Sequence, residues 1–330
     1  MRPLDADSPS PFHEGEQELQ RRAGKRGRME AFGRRAIRPF MPDQHREFFA
    51  QLPFLAAGAV DPGGWPWASL LSGPPGFACA PDSQHLRVAL SGQAQDPVRT
   101  AIRKGAALGL LGIELHSRRR NRLNGRVVSV ADDGFTLRVD QSFGNCPQFI
   151  QERDLTAAGP RSRTAAPMAF SRLPEAHRTL IARADTFFVA SHIPAAGHPE
   201  REGVDVSHRG GRPGFVRVAG NTLTIPDFPG NSHFNTLGNF LLNPRAGLTF
   251  ADFETGSLLL LTGTVDLLEE GHPDITSFQG AVRGWRFTLH KGLWLQAALP
   301  WRTGPGRFAP QTLRTGTWQE AESRAKASSR

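Results

Sequence analysis

The segment Pro226 to Thr236 reads Pro-Asp-Phe-Pro-Gly-Asn-Ser-His-Phe-Asn-Thr and runs straight into the helical pattern LGNFLLN. Asn231, Ser232, Asn235 and Thr236 are short hydrogen-bonding side chains placed where a helix begins. A helix start leaves unpaired N–H groups and a positive dipole end, which favours an anion. Gly230 lets backbone approach a ligand closely. Some twenty residues earlier, Asp205-Val206-Ser207-His208-Arg209-Gly210-Gly211 has strand character. Its Arg209 offers the two-pronged donor geometry that phosphate favours. The expected chemistry is therefore anion binding, with a phosphate as the anion.

Other reactive residues make weaker patterns. Cys146, in GNCPQF, has no base beside it in sequence, and Cys79 is expected in a core. Neighbouring strand residues point to opposite faces, so Ser207-His208 is a poor nucleophile pair. His116 follows Glu114 at a distance of two, and no tight His cluster suggests a metal centre. No metal is expected, and no catalytic acid or base is named by the sequence.

The elements that must position these residues come in two similar rounds. Residues 13–38 read as a polar helix, and a second helix starts after Pro42. From Phe54, short apolar runs alternate with Gly, Pro and Asp turns, which predicts strands. LNGRVVSVADDGFTLRVDQSF predicts a hairpin with a D-D-G turn. Pro42-Asp43-Gln44-His45-Arg46 then recurs as Pro174-Glu175-Ala176-His177-Arg178, 132 residues later. The stretch Gly109 to Gly125 lies over Gly247 to Gly263 without a gap, at an offset of 138. A longer hairpin near HIPAAGHPEREG would account for the six-residue change. The expectation is a mainly β (α+β) chain of two tandem antiparallel split β-barrels with flanking helices, arranged as an intrachain pseudo-dimer. The parts are an N-terminal helical, partly disordered extension (1–40), a first barrel (41–155), a linker (156–172), a second barrel (173–304) and a basic disordered tail (305–330).

At the 138 offset, His208 and Arg209 stand opposite Leu70 and Leu71. The polar 226–236 cluster has no counterpart in the first round. A working site is therefore expected once, in the second barrel.

Composition sets the outer limits. The chain has 330 residues with 22% charged and 38% hydrophobic, and a net charge of +9. That charge is local. Residues 98–126 hold eight Lys/Arg against one acid, and residues 302–330 hold six against two. Without aromatic interleaving in a recognised module, nucleic acid is not expected as a partner. No run of 18 apolar residues predicts a membrane helix, and residues 1–17 show no secretory pattern. With two cysteines only, a cytoplasmic address is expected.

Residues 187–218, the following stretch from Asn221 to Leu267, QSFGNCPQFI (Gln141 to Ile150) and the ending LQAALPWR together resemble the pyridoxamine 5′-phosphate oxidase-like FMN-binding split-barrel family. The resemblance spans about residues 12–302. It implies FMN held between two barrels. Ser207, His208, Arg209 and Gly210 would lie on the strand that meets the flavin and its phosphate. Asn231, Ser232, Asn235 and Thr236 would form the phosphate turn, here without the family's Lys. The partner barrel would contribute Arg120. The implied activity is an oxidoreductase or flavin reductase using FMN, with NAD(P)H or a small molecule as the other reactant. A non-catalytic flavin- or haem-binding barrel is the alternative. The chain is expected as a monomer with a pseudo-dimer inside it, or as a homodimer.

Overall fold

The computed structural model describes residues 9–90, 95–159, 166–195 and 202–328. The first round of strands is β1 (Phe54–Val60), β2 (Pro66–Ser72), β3 (Ala78–Cys79), β4 (His85–Ala89), β5 (Ala107–Glu114), β6 (Arg119–Ala131) and β7 (Gly134–Gly144). They form one antiparallel sheet in the order β2-β1-β5-β6-β7-β4-β3. Two short strands follow, β8 (Leu155–Ala157) and β9 (Met168–Phe170). The second round is β10 (Thr186–Ile193), β11 (Gly203–Gly210), β12 (Arg217–Ala219), β13 (Thr222–Asp227), β14 (Arg245–Asp252), β15 (Ser257–Leu268) and β16 (Arg283–Leu295). Its order is β11-β10-β14-β15-β16-β13-β12, which is the first order repeated. A last strand, β17 (Trp301–Thr303), pairs with β8.

The correspondence extends to register. Ala56 pairs with Leu111 as Phe188 pairs with Thr249, and Leu111 pairs with Arg122 as Thr249 pairs with Leu260. Each sheet curls around its own core without closing. The helices α1 (Glu14–Arg22), α2 (Arg26–Ala36), α3 (Asp43–Gln51), α4 (Pro97–Ala101), α5 (Glu175–Arg183), α6 (Asn235–Leu242), α7 (Pro273–Thr276) and α8 (Trp318–Ser328) flank the sheets.

The two sheets meet along close backbone contacts that only glycine allows. A Cβ on Gly109 of β5 would stand 2.5 Å from the Val204 carbonyl oxygen of β11. One on Gly247 of β14 would stand 2.5 Å from the Pro66 carbonyl oxygen of β2. Gly247 and Gly109 are counterparts at the 138 offset, as are Val204 and Pro66. Between them, a Cβ on Gly58 of β1 would stand 3.1 Å from the Cβ of Ala190, its own counterpart on β10. Two surfaces that meet counterpart to counterpart have the geometry of an isologous dimer contact. The junction is also apolar. Phe188, Val206, Leu258, Leu260 and Trp301 from the second round complete the core of the first.

Four sequence-based expectations need correction. Residues 13–38 are two helices, because Gly24 turns the chain at φ +65°. The segment 305–328 is folded, not disordered. Trp318 is buried, donates its indole N–H to the Phe215 carbonyl at 2.9 Å and packs edge-on against Phe278. The span 156–172 is not a plain linker, since β8 and β9 lie in it; residues 160–165 lie outside the described ones. Cys79 is exposed, on the two-residue strand β3 at the sheet edge. The hairpin read as longer in the second round joins β10 to β11, and its residues 196–201 lie outside the described ones.

Candidate functional site

A cavity of about 380 Å³ opens between the two sheets. Ser207, His208, Arg209 and Gly210 reach it from β11, and Arg120 from β6 of the other sheet. Asn231, Ser232, Asn235 and Thr236 reach it from the loop and first turn of α6. All nine residues expected at the site thus border one space.

The cavity is strongly cationic. Lys25, Arg120, Arg122, Arg209 and Arg283 line it, against Asp227 and Glu270. Arg209 pairs with Asp227 at 2.5 Å, and Arg283 lies 3.8 Å from the same carboxylate. Arg120 has no carboxylate partner among the described residues. Burial, then the neighbouring Arg122 and Arg209, push its pKa down to about 10, so it stays charged at neutral pH. The Nε atoms of Arg120, Arg209 and Arg283 and the amide nitrogen of Asn145 are buried with no hydrogen-bond acceptor among the described residues. Buried donors without acceptors are costly unless a ligand or water satisfies them.

Beneath the cavity runs a polar network that spans both sheets. Arg122 is buried and pairs with Asp205, and it donates to the Ser207 hydroxyl at 2.5 Å. Asn124 and Asn239 donate to the same carboxylate at 2.8 and 3.0 Å. Burial alone would raise the Asp205 carboxyl, but Arg122 and the two amides hold it below its usual range. The Thr236 hydroxyl donates to Ser207 at 3.0 Å.

Individual roles differ from the expectation. Asn235 is buried and its amide donates to Glu16 of α1, so that amide faces the helix. No side chain caps α6, whose preceding residue is Phe234. A Cβ on Gly210 would lie 2.0 Å from the Phe149 carbonyl oxygen, so the glycine admits the turn at Phe149. His208 is buried edge-on against Phe188, and neither ring nitrogen has a partner among the described residues. Burial first, then Arg120, Arg153 and Arg209, push its pKa well below the usual value, which keeps the ring neutral. His233 is enclosed by Phe12, Phe32 and Phe143. Trp67 is packed in the first core, while Trp65 stacks on His290 at 4.1 Å. Cys146 is half-buried at the cavity wall.

Sequence reasoning missed Lys25, Arg283, Asn145 and the stacked pair Phe149–Phe228, whose rings lie 5.1 Å apart. Lys25, Arg283, Asn145 and Phe149 come from segments far from β11 in sequence, while Phe228 lies inside the 226–236 segment. Asn145 had one visible signal, since it sits in the QSFGNCPQFI block.

The counterpart of this cavity exists in the other half. A second space of about 380 Å³ is bordered by Leu70, Leu71 and Leu258 where the first has His208, Arg209 and Arg120. The architecture is shared and the charge is not.

Residues 41–166, which hold the first sheet, match the family model described as pyridoxamine 5′-phosphate oxidase. Over those residues the chain is similar to the pyridoxamine 5′-phosphate oxidase family. The match falls on the half that carries Arg120, whereas β11 and the 226–236 loop lie outside it. Among solved structures, a candidate pyridoxamine 5′-phosphate oxidase of Lactobacillus delbrueckii is 14% identical, with a TM-score of 0.26, over 32% of this chain and 95% of its own. A HupZ variant of Group A Streptococcus is 13% identical, with a TM-score of 0.29, over 37% and 99%. A candidate 5-nitroimidazole antibiotic resistance protein of Bacteroides thetaiotaomicron is 13% identical, with a TM-score of 0.26, over 43% and 98%. A search of curated proteins finds no match. No helix among the described residues is long and apolar enough to cross a membrane.

Proposed function

We propose that this chain is an FMN-binding flavoprotein, an oxidoreductase or flavin reductase that exchanges hydride or electrons with NAD(P)H or another small molecule. The observation that carries the reading is Arg120. It is a charged guanidinium without a carboxylate, set beside Arg122 and Arg209 in a cavity walled by both sheets. Arg122 and Arg209 each have a carboxylate and Arg120 does not, and an excess of positive charge favours an anionic ligand. The orphaned donors of Arg120, Arg209, Arg283 and Asn145 fit a phosphate, which offers several strong acceptors. The stacked Phe149–Phe228 pair gives the same cavity an apolar wall for a ring system.

In this reading Arg120, Arg209, Asn231 and Ser232 hold the phosphate monoester. Arg122, fixed by Asp205, presents positive charge from below. His208 stays neutral and supplies shape and burial, not a proton. Bound FMN would supply the redox chemistry through its ring, and the protein would supply position and field. The shared strand order and counterpart contacts also support a tandem duplication with one working site. Two cysteines without a disulfide suit a reducing, cytoplasmic setting.

Haem is the competing ligand. It would need an axial side chain, and His233 is enclosed by three phenylalanines, while His208 sits among arginines. The test is the absorbance spectrum of the full chain after loading with FMN and desalting. About one flavin per chain, lost in Arg209→Ala and Arg120→Ala, is expected. A retained haem spectrum after haem loading, with no flavin retained, would overturn the reading.

A further inference from the structure

We infer that the N-terminal helix pair is a third wall of this cavity and that its Lys25 binds the phosphate of a phosphate monoester ligand. The inference rests on the flavin reading above and adds a residue from outside both sheets.

The first support is how α1 is seated. Gly15 of α1 faces Gly238 of α6 with nothing between them. A Cβ on Gly15 would stand 2.2 Å from the Gly238 carbonyl oxygen, and one on Gly238 would stand 2.7 Å from the Glu16 nitrogen. From that seat α1 grips the loop before α6. Gln20 donates to the His233 carbonyl at 3.3 Å, and Glu16 accepts from the Asn235 amide. The loop needs such a grip. Ser232 and Phe234 hold φ of +63° and +64°, in the left-handed region that side chains with a Cβ disfavour.

The second support is the pattern of charge pairing. Four cations stand around the turn between α1 and α2. Arg21 and Arg22 pair with Glu18, and Arg26 pairs with Glu30. Lys25 is the fourth, and among the described residues no carboxylate pairs with it. Gly24 turns the chain there, and the Lys25 ammonium donates to the Ser232 hydroxyl at 3.0 Å. That contact uses one of three ammonium protons and leaves two for a ligand. Arg28, further along α2, also has no carboxylate partner among the described residues, but it is Lys25 that borders the cavity.

FMN and riboflavin differ only in the phosphate, so their ratio of affinities isolates this contact. The full chain and Lys25→Ala are titrated with both. The variant should bind FMN roughly tenfold more weakly, the scale of one charge-assisted bond. Its riboflavin affinity should change by less than about twofold. Lys25→Arg should recover most of the FMN affinity. Equal changes for both ligands, or none for FMN, would overturn the inference while leaving the flavin reading standing. If the wild type binds neither flavin, the flavin reading itself falls. Inorganic phosphate then becomes the probe: it should raise the melting temperature of the wild type more than that of Lys25→Ala. Equal shifts would overturn the inference.

Discussion

Arg122 and Asp205 form a buried ion pair that ties the first sheet to the second. Their counterparts are Leu260 and Trp67, which belong to one apolar cluster on the other side of the junction. The same architectural contact is therefore ionic on the cavity side and apolar on the opposite side. Breaking a buried pair leaves an uncompensated charge, which costs about 3–5 kcal/mol. Asp205→Ala should lower stability by that order in urea unfolding. Asp205→Asn should cost somewhat less, because one oxygen remains for Arg122 and Asn124, which share it, and only Asn239 loses its acceptor. Equal losses for the two variants would place the whole cost on the charge, whereas a near-neutral Asp205→Asn would argue against the charge as the reason.

Backbone contact at the junction makes a separate claim. Gly109→Ala and Gly247→Ala each place a methyl 2.5 Å from a backbone carbonyl of the facing strand. Both should destabilise the chain by about 1–3 kcal/mol, the usual cost of overpacking. Thermal unfolding of the two variants should show similar losses, since the contacts are counterparts. Gly230→Ala is the control, because its Cβ would meet nothing within 4 Å.

Stoichiometry follows from the difference between the two cavities. Leu70, Leu71 and Leu258 cannot replace the cations of the first site. Calorimetric titration with FMN should therefore give about one site per chain, and Leu71→Ala should leave both affinity and number unchanged. Two equivalent sites would contradict the asymmetry.

The pH dependence of stability has two opposing parts. Burial first, then Asp205, raise the Glu16 carboxyl to about 8, so the folded state keeps a proton that the unfolded chain releases above about 4.5. This stabilisation is present in acid and is lost as pH rises to about 8. Burial lowers His13, His192 and His233 to about 4 from 6.5. Their contribution is present above pH 6.5 and is lost as pH falls toward about 4. The melting temperature should peak near neutrality. Between pH 6.5 and 8 the wild type should lose stability that Glu16→Gln retains. Parallel curves for the two would remove Glu16 as the cause.

Much of this arrangement is legible in the chain before folding. The strand order repeats because the turn and apolar patterns repeat, and the offset of 138 aligns Arg209 with Leu71 without any coordinates. The nine site residues converge because sheet registers carry sequence spacing into space. The rest depends on contacts between distant segments. Lys25 lies 207 residues from Ser232, in a run of charges that reads as a solvated helix face. The C-terminal segment looks disordered because its polar residues outnumber its anchors, yet Trp318 alone finds a hydrogen bond, a ring and a cation, Arg217 at 4.2 Å. Cys79 reads as core by residue type, and a two-residue edge strand leaves it in solvent.

Covalent continuity between the halves changes what substitution can do. In an assembly of two identical subunits, every altered residue appears twice, so an arginine gained at one cavity is gained at both. Here the two faces are encoded separately. Arg122 and Leu260 occupy matching places, and neither choice constrains the other. One cavity can therefore specialise for a charged guest while its twin supplies only mechanical support, a division of labour closed to a true homodimer.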